Sequence, residues 1–511
     1  MENQNSVYQQ PKNQQQVGYH VLNQLQSYIS SWVPSSIRII AVIISMCMGL
    51  ISFAPSGLYA QSPDRTTDQV RELLVNYHIS GVTDEELQGK SIENMLAYIN
   101  DPYTDYFNAE ASARFYNSIE QNYVGLGIRI EKADDGFFIT GVIENSPASR
   151  AGLQKGDQIQ EVNGVRISTN DSIDQMFRRL KGELGDSMNV SIKRQNQIIF
   201  YDLVISAFNY PDIYSYWFEP GVGYIQITSF SSDIGDQFDR VIADFQSKGL
   251  TSLIIDLRNN SGGFSESATH IFSRFVNKGV VYYSSAKDQT KKPQRVNVNQ
   301  PNLQVPVTMI LNAYSASASE LLTGALRDYR IARVVGKKSF GKGIVQQLFS
   351  LEGGTMLKIT TEEYFTPNKT KVNQVGIQPD VDITGNLAQF LTALRMAGIP
   401  SLTLNVSAYE LLVNGVSLNE DIDIITQDGE IYVPSRVLAA LIGAQITWNE
   451  QRRSVDIARS SHKASFLIDA DHLKVIQGVS YIQLKYFSQF FPEFSYKQEE
   501  HQFTMVATER K

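Results

Sequence analysis

The stretch Val305-Pro-Val-Thr-Met-Ile-Leu-Asn-Ala-Tyr-Ser-Ala-Ser-Ala-Ser-Glu320 decides how the middle of the chain folds. Its first half is an apolar run typical of a buried strand, and residues 319–329 repeat leucine and alanine at helical spacing. Ser317 therefore lies where a strand gives way to a helix. The N–H groups that follow it are free, and the helix dipole favours negative charge there, which suits a nucleophile. In isolation, a serine at a helix start is more often an N-cap, and Ser315 and Ser319 fit that role.

A candidate base for Ser317 follows twenty-five residues later, in Ser339-Phe-Gly-Lys-Gly-Ile-Val-Gln-Gln347. A serine hydroxyl becomes a good nucleophile beside a base, and a lysine amine is such a base when burial keeps it neutral. Lys342 is flanked by glycines and apolar residues, whereas the two lysines at 337–338 lack such surroundings. The sequence therefore indicates a serine–lysine hydrolase, with a surface lysine in a glycine turn as the alternative.

The sequence before this stretch predicts an α/β core. Residues 223–230 and 252–257 have the pattern of buried strands, and residues 234–248 between them have helical character. The second strand runs into Asp256-Leu-Arg-Asn-Asn-Ser-Gly-Gly263. Two glycines at the end of a strand leave backbone N–H groups approachable, as an oxyanion site requires. The alternative is an ordinary turn before a helix that begins near Ser265.

Composition narrows the possible functions. The chain has 511 residues, of which 42% are hydrophobic, so three or four domains are expected. The net charge is −8 without a long basic run, and nucleic acid is therefore not an expected partner. Cys47 is the only cysteine and no His-Glu-x-x-His pattern occurs, which leaves a zinc hydrolase without ligands. His270 is the only histidine between residues 79 and 461, and nothing ties it to Ser317 as a base.

The N-terminus predicts export. Residues 1–36 are polar, and residues 37–60 contain a nearly uncharged run that follows Arg38 and ends in small residues. This pattern is typical of a secretory signal or a membrane anchor. We expect extracytoplasmic domains, either held at the membrane by an uncleaved anchor or secreted. A buried core helix is the weaker alternative, because nothing polar gives the run a second face.

Residues 119–205 follow a mostly helical lead-in at 62–118 and resemble a PDZ domain of the bacterial protease type. The resemblance depends on Gly125-Leu-Gly-Ile128 together with Ser146-Pro-Ala-Ser-Arg-Ala-Gly-Leu153 and the segment 155–164, in order and at domain spacing. It implies that Gly125, Leu126, Gly127 and Ile128 form a loop whose N–H groups bind the carboxylate of a peptide C-terminus. Alone, that tetrapeptide would be an ordinary glycine turn.

Residues from about 65 to 395 resemble the carboxy-terminal processing peptidases, also called tail-specific proteases. The motifs are Ser315-Ala-Ser-Ala-Ser-Glu320 and Phe340-Gly-Lys-Gly343 with Val345-Gln346, followed by Tyr364-Phe-Thr-Pro367. The resemblance implies a nucleophile at Ser317, a general base at Lys342, and Gln346 as the residue that orients the lysine. It also implies that Gly263 and Ala318 supply oxyanion N–H groups, with acyl-enzyme chemistry that needs no metal or cofactor. The substrates implied are proteins presented by their C-terminal ends, and the resemblance is consistent with a homodimer.

Two positions depart from that family's pattern. Members have glycine shortly after the Tyr-x-x-Pro element, where this chain reads Pro367-Asn-Lys-Thr370; we expect Asn368 to adopt the left-handed turn. In relatives whose PDZ domain gates the protease, an arginine near the second PDZ helix transmits peptide binding. Lys181 takes the aligned place here, which puts gating through this residue in doubt.

Residues 401–511 lie beyond that family's core and resemble the copper amine oxidase N-terminal-like stalk domain of exported Gram-positive proteins. The pattern is strand, short helix and hairpin at 429–457, weakly repeated at 478–498. His462, His472 and His501 lie apart at no metal-ligand spacing, so we expect an interaction or cell-envelope tethering module rather than a metal site.

The expected fold class is therefore α/β and α+β multidomain. The helical lead-in at 62–118 and the β-sandwich-like PDZ domain at 119–205 precede an α/β protease core of crotonase/ClpP-like type at 213–395, and a small α+β domain follows at 401–511. A catalytically inactive PDZ scaffold or envelope binding protein is the alternative function. A lipase-like esterase is disfavoured because Gly-x-Ser-x-Gly is absent around Ser317.

Overall fold

A computed structural model describes residues 63–508 of the chain, with gaps at 301, 408–409, 418–419, 421, 460–461, 469–470 and 500–501. The polar segment 1–36 and the predicted signal or anchor at 37–60 lie outside the described residues. Within the described part, no helix is long and apolar enough to span a membrane. The described chain divides into two compact units, one formed by Val124–Phe208 and the other by the residues on both sides of it.

The lead-in is helical and shares a hydrophobic core with the α/β part of the chain. Its elements are α1 (Pro63–Tyr77), α2 (Asp84–Leu87), α3 (Ile92–Ile99), β1 (Asp105–Phe107) and α4 (Ala109–Ile119). Side-chain caps start α3 and α4, where Ser91 and Asn108 accept the N–H of Asn94 and Ala111. Apolar side chains of α1 to α3 pack with Leu357 and Ile359, and β1 pairs with their strand. The lead-in is therefore packed against, and paired with, the α/β core.

The unit Val124–Phe208 is built around a sheet with the order β3-β4-β5-β7-β8 and with β6 paired to β5. Its elements and the two strands at its boundaries are β2 (Asn122–Gly125), β3 (Ile128–Ala133), β4 (Gly136–Val142), α5 (Pro147–Ala151), β5 (Gln158–Val162), β6 (Val165–Arg166), α6 (Ile173–Leu180), β7 (Ser187–Arg194), β8 (Gln197–Val204) and β9 (Ser206–Asn209). Phe137, Ile139 and Ile192 are fully buried in its core.

The α/β core contains a sheet with the order β10-β11-β12-β15-β16-β19, in which only the β10–β11 pair is antiparallel. A second sheet joins β1, β18, β13 and β14, with β17 paired to β18. The elements are β10 (Ile213–Phe218), β11 (Val222–Ile227), α7 (Ile234–Ser247), β12 (Ser252–Asp256), α8 (Ser265–Ser273), β13 (Lys278–Ser285), β14 (Lys291–Asn297), β15 (Val307–Leu311), α9 (Ala318–Asp328), β16 (Ala332–Gly336), β17 (Ile344–Ser350), β18 (Met356–Phe365), β19 (Val381–Asp382) and α10 (Asn386–Met396), with a 3₁₀ turn at Glu352–Gly354.

The parallel order of β12, β15 and β16 explains why the glycine, serine and lysine motifs that follow these strands lie close together. β12 and β15 are buried along their whole length, because parallel strands are covered on both faces. Asp256 pairs with Ile310, and Leu311 pairs with Gly336, so the three strands end at one edge of the sheet. The loops that follow these strands therefore converge there, at the position where open α/β sheets bind ligands.

The C-terminal part shares a hydrophobic core with the six-stranded sheet of the α/β core. Its elements are β20 (Ser401–Ser407), β21 (Leu411–Val413), β22 (Val416–Ser417), β23 (Ile425–Gln427), β24 (Glu430–Pro434), α11 (Ser435–Ile442), β25 (Gln445–Asn449), β26 (Ser454–Arg459), β27 (His462–Leu467), β28 (Leu473–Ile476), β29 (Val479–Gln483), α12 (Leu484–Phe490), β30 (Phe494–Gln498) and β31 (Gln502–Thr508). Helix α10 connects the two parts, since Leu391 and Leu394 belong to one buried cluster with Ile310 and Leu438.

The turn after β18 differs from its predicted form. Lys369, rather than Asn368, adopts the left-handed conformation, with φ 63°. Asn368 instead donates its backbone N–H to Asp328 Oδ2 at 2.7 Å, and the Lys369 amine lies 5.0 Å from the ring centre of Tyr283. The expectation for Asn368 was wrong because these tertiary contacts set which residue of the turn carries the positive φ.

Candidate active site

Ser317 occupies a strained backbone position between β15 and α9. Its φ of 54° and ψ of −115° lie outside the regions that non-glycine residues normally adopt. Tyr364, which is buried, donates its hydroxyl to the Ser317 carbonyl at 3.0 Å. Such strain persists only where surrounding contacts hold it, and it recurs at functional sites.

The glycine loop after β12 lies directly against this turn. A Cβ added to Gly262 would meet Ser317 Cβ at 2.8 Å, and one added to Gly263 would meet the Phe230 carbonyl oxygen at 2.3 Å. The Ala316 N–H donates to the Asn260 carbonyl at 3.0 Å, as does the Ser319 hydroxyl. Within the described residues, the N–H groups of Gly263 and Ala318 have no hydrogen-bond acceptor. Two free donors therefore lie beside Ser317, as an oxyanion site requires.

Glu320 joins the serine turn to the lysine loop, a role that the sequence did not reveal. Its side chain is fully buried and accepts the backbone N–H groups of Ser317 at 3.0 Å, Gly341 at 2.7 Å and Lys342 at 2.8 Å. The hydroxyl of Ser339 also donates to it. Burial raises the pKa of Glu320, although these hydrogen bonds oppose the rise. The only local signal was its spacing of three residues from Ser317, which is that of a capping box.

Lys342 has the electrostatic setting of a general base. Burial lowers the pKa of Lys342 to about 8, the positive charge of Lys358 acts in the same direction, and the charges of Asp101 and Glu320 oppose it. The amine lies 5.2 Å from the ring centre of Tyr103. A pKa of about 8 leaves about one amine in ten neutral at pH 7, and general-base catalysis requires this neutral form.

Three of these neighbours come from distant parts of the chain and were missed by the sequence interpretation. Tyr103 and Asp101 belong to the lead-in, and Lys358 lies on β18 with its amine 5.0 Å from the ring centre of Phe107. Burial opposes ionisation of Asp101, but hydrogen bonds with His78, the Thr104 hydroxyl and the Tyr103 N–H hold the pKa of this carboxyl well below its ordinary value. The lead-in thus places a fixed negative charge near Lys342.

Gln346 contacts Tyr103 rather than Lys342. Its side-chain amide donates to the Tyr103 carbonyl, and the described part of the chain shows no hydrogen bond between Gln346 and Lys342. Any effect of Gln346 on the lysine in this structure is transmitted through Tyr103, whose ring lies beside the amine.

His270, the alternative base, has a different set of contacts. Its ring packs against Gly235, and its Nε2 lies 3.1 Å from Asp239 Oδ2. Asp239 also pairs with Arg274. The imidazole of His270 therefore contacts Gly235 and Asp239 on the surface of α8. The described residues show no contact between this imidazole and Ser317.

The glycine loop of the unit Val124–Phe208 was predicted to bind a carboxylate, and its backbone contacts define which way its N–H groups face. The carbonyls of Leu126 and Gly127 accept the N–H groups of Ala148 at 2.9 Å and Ile143 at 2.8 Å. Because a trans peptide points its N–H opposite to its carbonyl, the N–H groups of Gly127 and Ile128 face away from these partners. Gly125 ends β2, and Gly127 has a φ of 75°.

Lys181 is exposed and forms the C-cap of α6. Its role in gating stays a prediction. Across the described residues, no group of histidine, cysteine and carboxylate side chains could hold a metal ion.

Family models match three parts of the chain. Peptidase family S41 matches residues 221–383, a PDZ domain matches residues 138–194, and a copper amine oxidase N-terminal domain matches residues 400–492. All three resemblances found in the sequence are confirmed, as is the multidomain α/β and α+β fold class.

Relatives in Gram-positive bacteria match most of the chain. The carboxy-terminal processing protease CtpB of Bacillus subtilis is 30% identical over 328 residues, which are 63% of this chain and 68% of CtpB. A probable CtpA-like serine protease of Staphylococcus epidermidis is 28% identical over 362 residues, 70% of this chain and 73% of that protein. Among solved structures, a photosystem II D1 C-terminal processing protease aligns with a TM-score of 0.44 and 20% identity, covering 66% of this chain and 98% of its own.

Proposed function

Because this chain belongs to the carboxy-terminal processing peptidases of family S41 and is a serine peptidase, we propose that Ser317 is its nucleophile and Lys342 its general base. The observation that carries the proposal is the lowered pKa of Lys342, about 8, on a loop that Glu320 joins to the strained Ser317 turn. A neutral amine at that position can accept the serine proton.

The proposed reaction is acyl transfer. Lys342 takes the hydroxyl proton as Ser317 Oγ bonds to the scissile carbonyl carbon, and the N–H groups of Gly263 and Ala318 stabilise the oxyanion. The tetrahedral intermediate collapses as the peptide C–N bond breaks, and Lys342 returns the proton to the leaving amine. Water then attacks the acyl carbon while Lys342 accepts a proton from it, and Lys342 returns that proton to Ser317 Oγ as the ester bond breaks and the acid product leaves. Gln346 acts through Tyr103 to hold the lysine.

The proposed substrates are extracytoplasmic proteins that present their C-termini. A peptide C-terminus would bind the N–H groups of the loop Gly125 to Ile128, adding a strand beside β3. The name of the Bacillus relative, a carboxy-terminal processing protease, supports the same substrate class. We further propose that the protein is exported, either with a retained anchor or as a secreted protein, and that it forms a homodimer. In this proposal Lys181 takes part in gating, and residues 401–511 contact the cell envelope.

The assignment is tested by two variants and one matched control. Ser317→Ala and Lys342→Ala should abolish cleavage of a peptide substrate, whereas Lys338→Ala, which removes an exposed lysine from the same loop, should not. A fluorophosphonate probe should label the wild type and not Ser317→Ala, which also separates a peptidase from an inactive scaffold. Full activity in Lys342→Ala would refute the base assignment and return His270 to consideration.

A further inference from the structure

A buried cluster of charges connects the C-terminal part of the chain to the glycine loop. Arg258 lies two residues beyond the end of β12, in the segment that leads to Gly263, and its side chain is 4% exposed. It contacts the fully buried Asp256 and also Glu420, a residue of the C-terminal part whose side chain is 13% exposed. Neither Glu420 nor Arg258 belongs to the proposed catalytic set.

All three nitrogens of the Arg258 guanidinium group donate hydrogen bonds. Nε donates to Asp256 Oδ2 at 2.9 Å, Nη1 donates to the Asn386 carbonyl at 2.9 Å, and Nη2 donates to Glu420 Oε1 at 2.7 Å. The hydroxyl of Tyr224 also donates to Asp256, at 2.8 Å. Because a buried cation is stable only when its donors are satisfied, this network holds Arg258 in one position.

The residues around Arg258 are bonded to the serine turn. The Leu257 carbonyl accepts the Ser315 hydroxyl at 2.8 Å, and the Asn259 N–H donates to Asn312 Oδ1 at 3.0 Å. The Asn260 carbonyl accepts the Ala316 N–H, and Asn260 Oδ1 accepts the Gly262 N–H at 2.8 Å. A displacement of Arg258 would therefore move both the donor at Gly263 and the nucleophile.

The C-terminal part that contains Glu420 is packed against α10 and the protease sheet. Arg395, on α10, donates to the carbonyls of Leu441 and Ala507, and α11 is buried in the core shared with the protease sheet. Glu420 belongs to this packed part, and its direct contact with Arg258 gives it the means to constrain the loop.

We propose that Glu420 is a positioning residue for the oxyanion loop, so that residues 401–511 are part of the catalytic apparatus. The inference rests on the proposed function of Ser317, Gly263 and Ala318. Without the Glu420 carboxylate, Arg258 Nη2 loses an acceptor in a buried setting, and the loop can relax away from the geometry that stabilises the oxyanion. The C-terminal part is also expected to be required for full activity on short peptides that do not reach the PDZ domain.

The test compares Glu420→Ala and Glu420→Gln with Glu493→Gln in the full chain. Glu493 is the matched control because its buried side chain pairs with Arg459 at 3.0 Å within the same C-terminal part but does not contact the glycine loop. On a short peptide substrate, we expect kcat to fall about tenfold in Glu420→Ala, since small displacements of catalytic groups have large effects on rate. KM should stay within about twofold, and Glu420→Gln, which keeps a hydrogen-bond acceptor, should recover part of kcat.

Fluorophosphonate labelling should slow in parallel with kcat, and thermal unfolding should show that each variant is folded at the assay temperature. Wild-type kcat in Glu420→Ala would overturn the inference, as would an equal loss in Glu493→Gln, because that loss would reflect general destabilisation. These outcomes are distinguishable from failure of the proposed function, which would appear as peptide cleavage by Ser317→Ala.

Discussion

The pH dependence of cleavage follows from the setting of Lys342. Lowering its pKa from the ordinary 10.5 to about 8 raises the neutral fraction at pH 7 about 300-fold, to about one amine in ten. Since only the neutral amine can accept the Ser317 proton, kcat/KM should rise with pH, reach half of its maximum near pH 8, and level off above about pH 9.

The variant Lys358→Met tests whether the charge of Lys358 contributes to the lowered pKa of Lys342. The substitution keeps an unbranched chain beside Phe107 and removes the charge. Because the charge of Lys358 lowers the pKa of Lys342, its removal should move the midpoint of the profile to higher pH. Activity at pH 7 should therefore fall, and activity on the high-pH plateau should be preserved. Lys369→Met is the matched control, since Lys369 also lies over a ring, that of Tyr283, but has no part in the pKa of Lys342.

The assay is kcat/KM on a short peptide between pH 6 and 10, with fluorophosphonate labelling as an independent measure of Ser317 reactivity. A wild-type midpoint near pH 6.5, the ordinary range of histidine, would refute the lysine-base reasoning. An unchanged midpoint in Lys358→Met would show instead that the charge of Lys358 does not contribute to the lowered pKa of Lys342.

Three further predictions concern the surroundings of the site. Glu320→Gln should lower kcat about 100-fold in folded protein, because an amide cannot accept all four hydrogen bonds that tie the Ser317 turn to the Lys342 loop; circular dichroism checks the fold. Gly263→Ala should also abolish cleavage, since its Cβ would lie 2.3 Å from the Phe230 carbonyl oxygen, and retained activity would contradict the close fit of this loop. Burial raises the pKa of Asp212 to about 6, so its ionisation destabilises the fold as pH rises from about 4 to 6. Asp212→Asn should therefore raise the free energy of unfolding at pH 7 by about 3 kcal/mol and have little effect at pH 4, which denaturant melts at the two pH values can measure.

Much of the fold and part of the site could be read from local patterns. The apolar run before Asn312 and the leucine spacing after it predicted β15 and α9, and the parallel order of such strands predicts that their loops meet at one edge. The motifs around Ser317 and Lys342 indicated the family, which the relatives confirm. By contrast, the residue in the left-handed turn after β18 was assigned wrongly, because contacts of Asn368 and Lys369 with distant side chains decided it.

The sequence by itself determined which elements form and which residues have the chemistry of a serine peptidase, because hydrophobic spacing and residue type are local properties. Only the tertiary structure decided why the pKa of Lys342 falls far enough for a usable share of its amine to be neutral. Tyr103 and Asp101 reach it from the lead-in, Lys358 from β18, and Glu420 approaches the glycine loop from the C-terminal part. A pKa depends on every charge and every nonpolar group within a few ångströms, and no spacing along the chain specifies which distant residues those are.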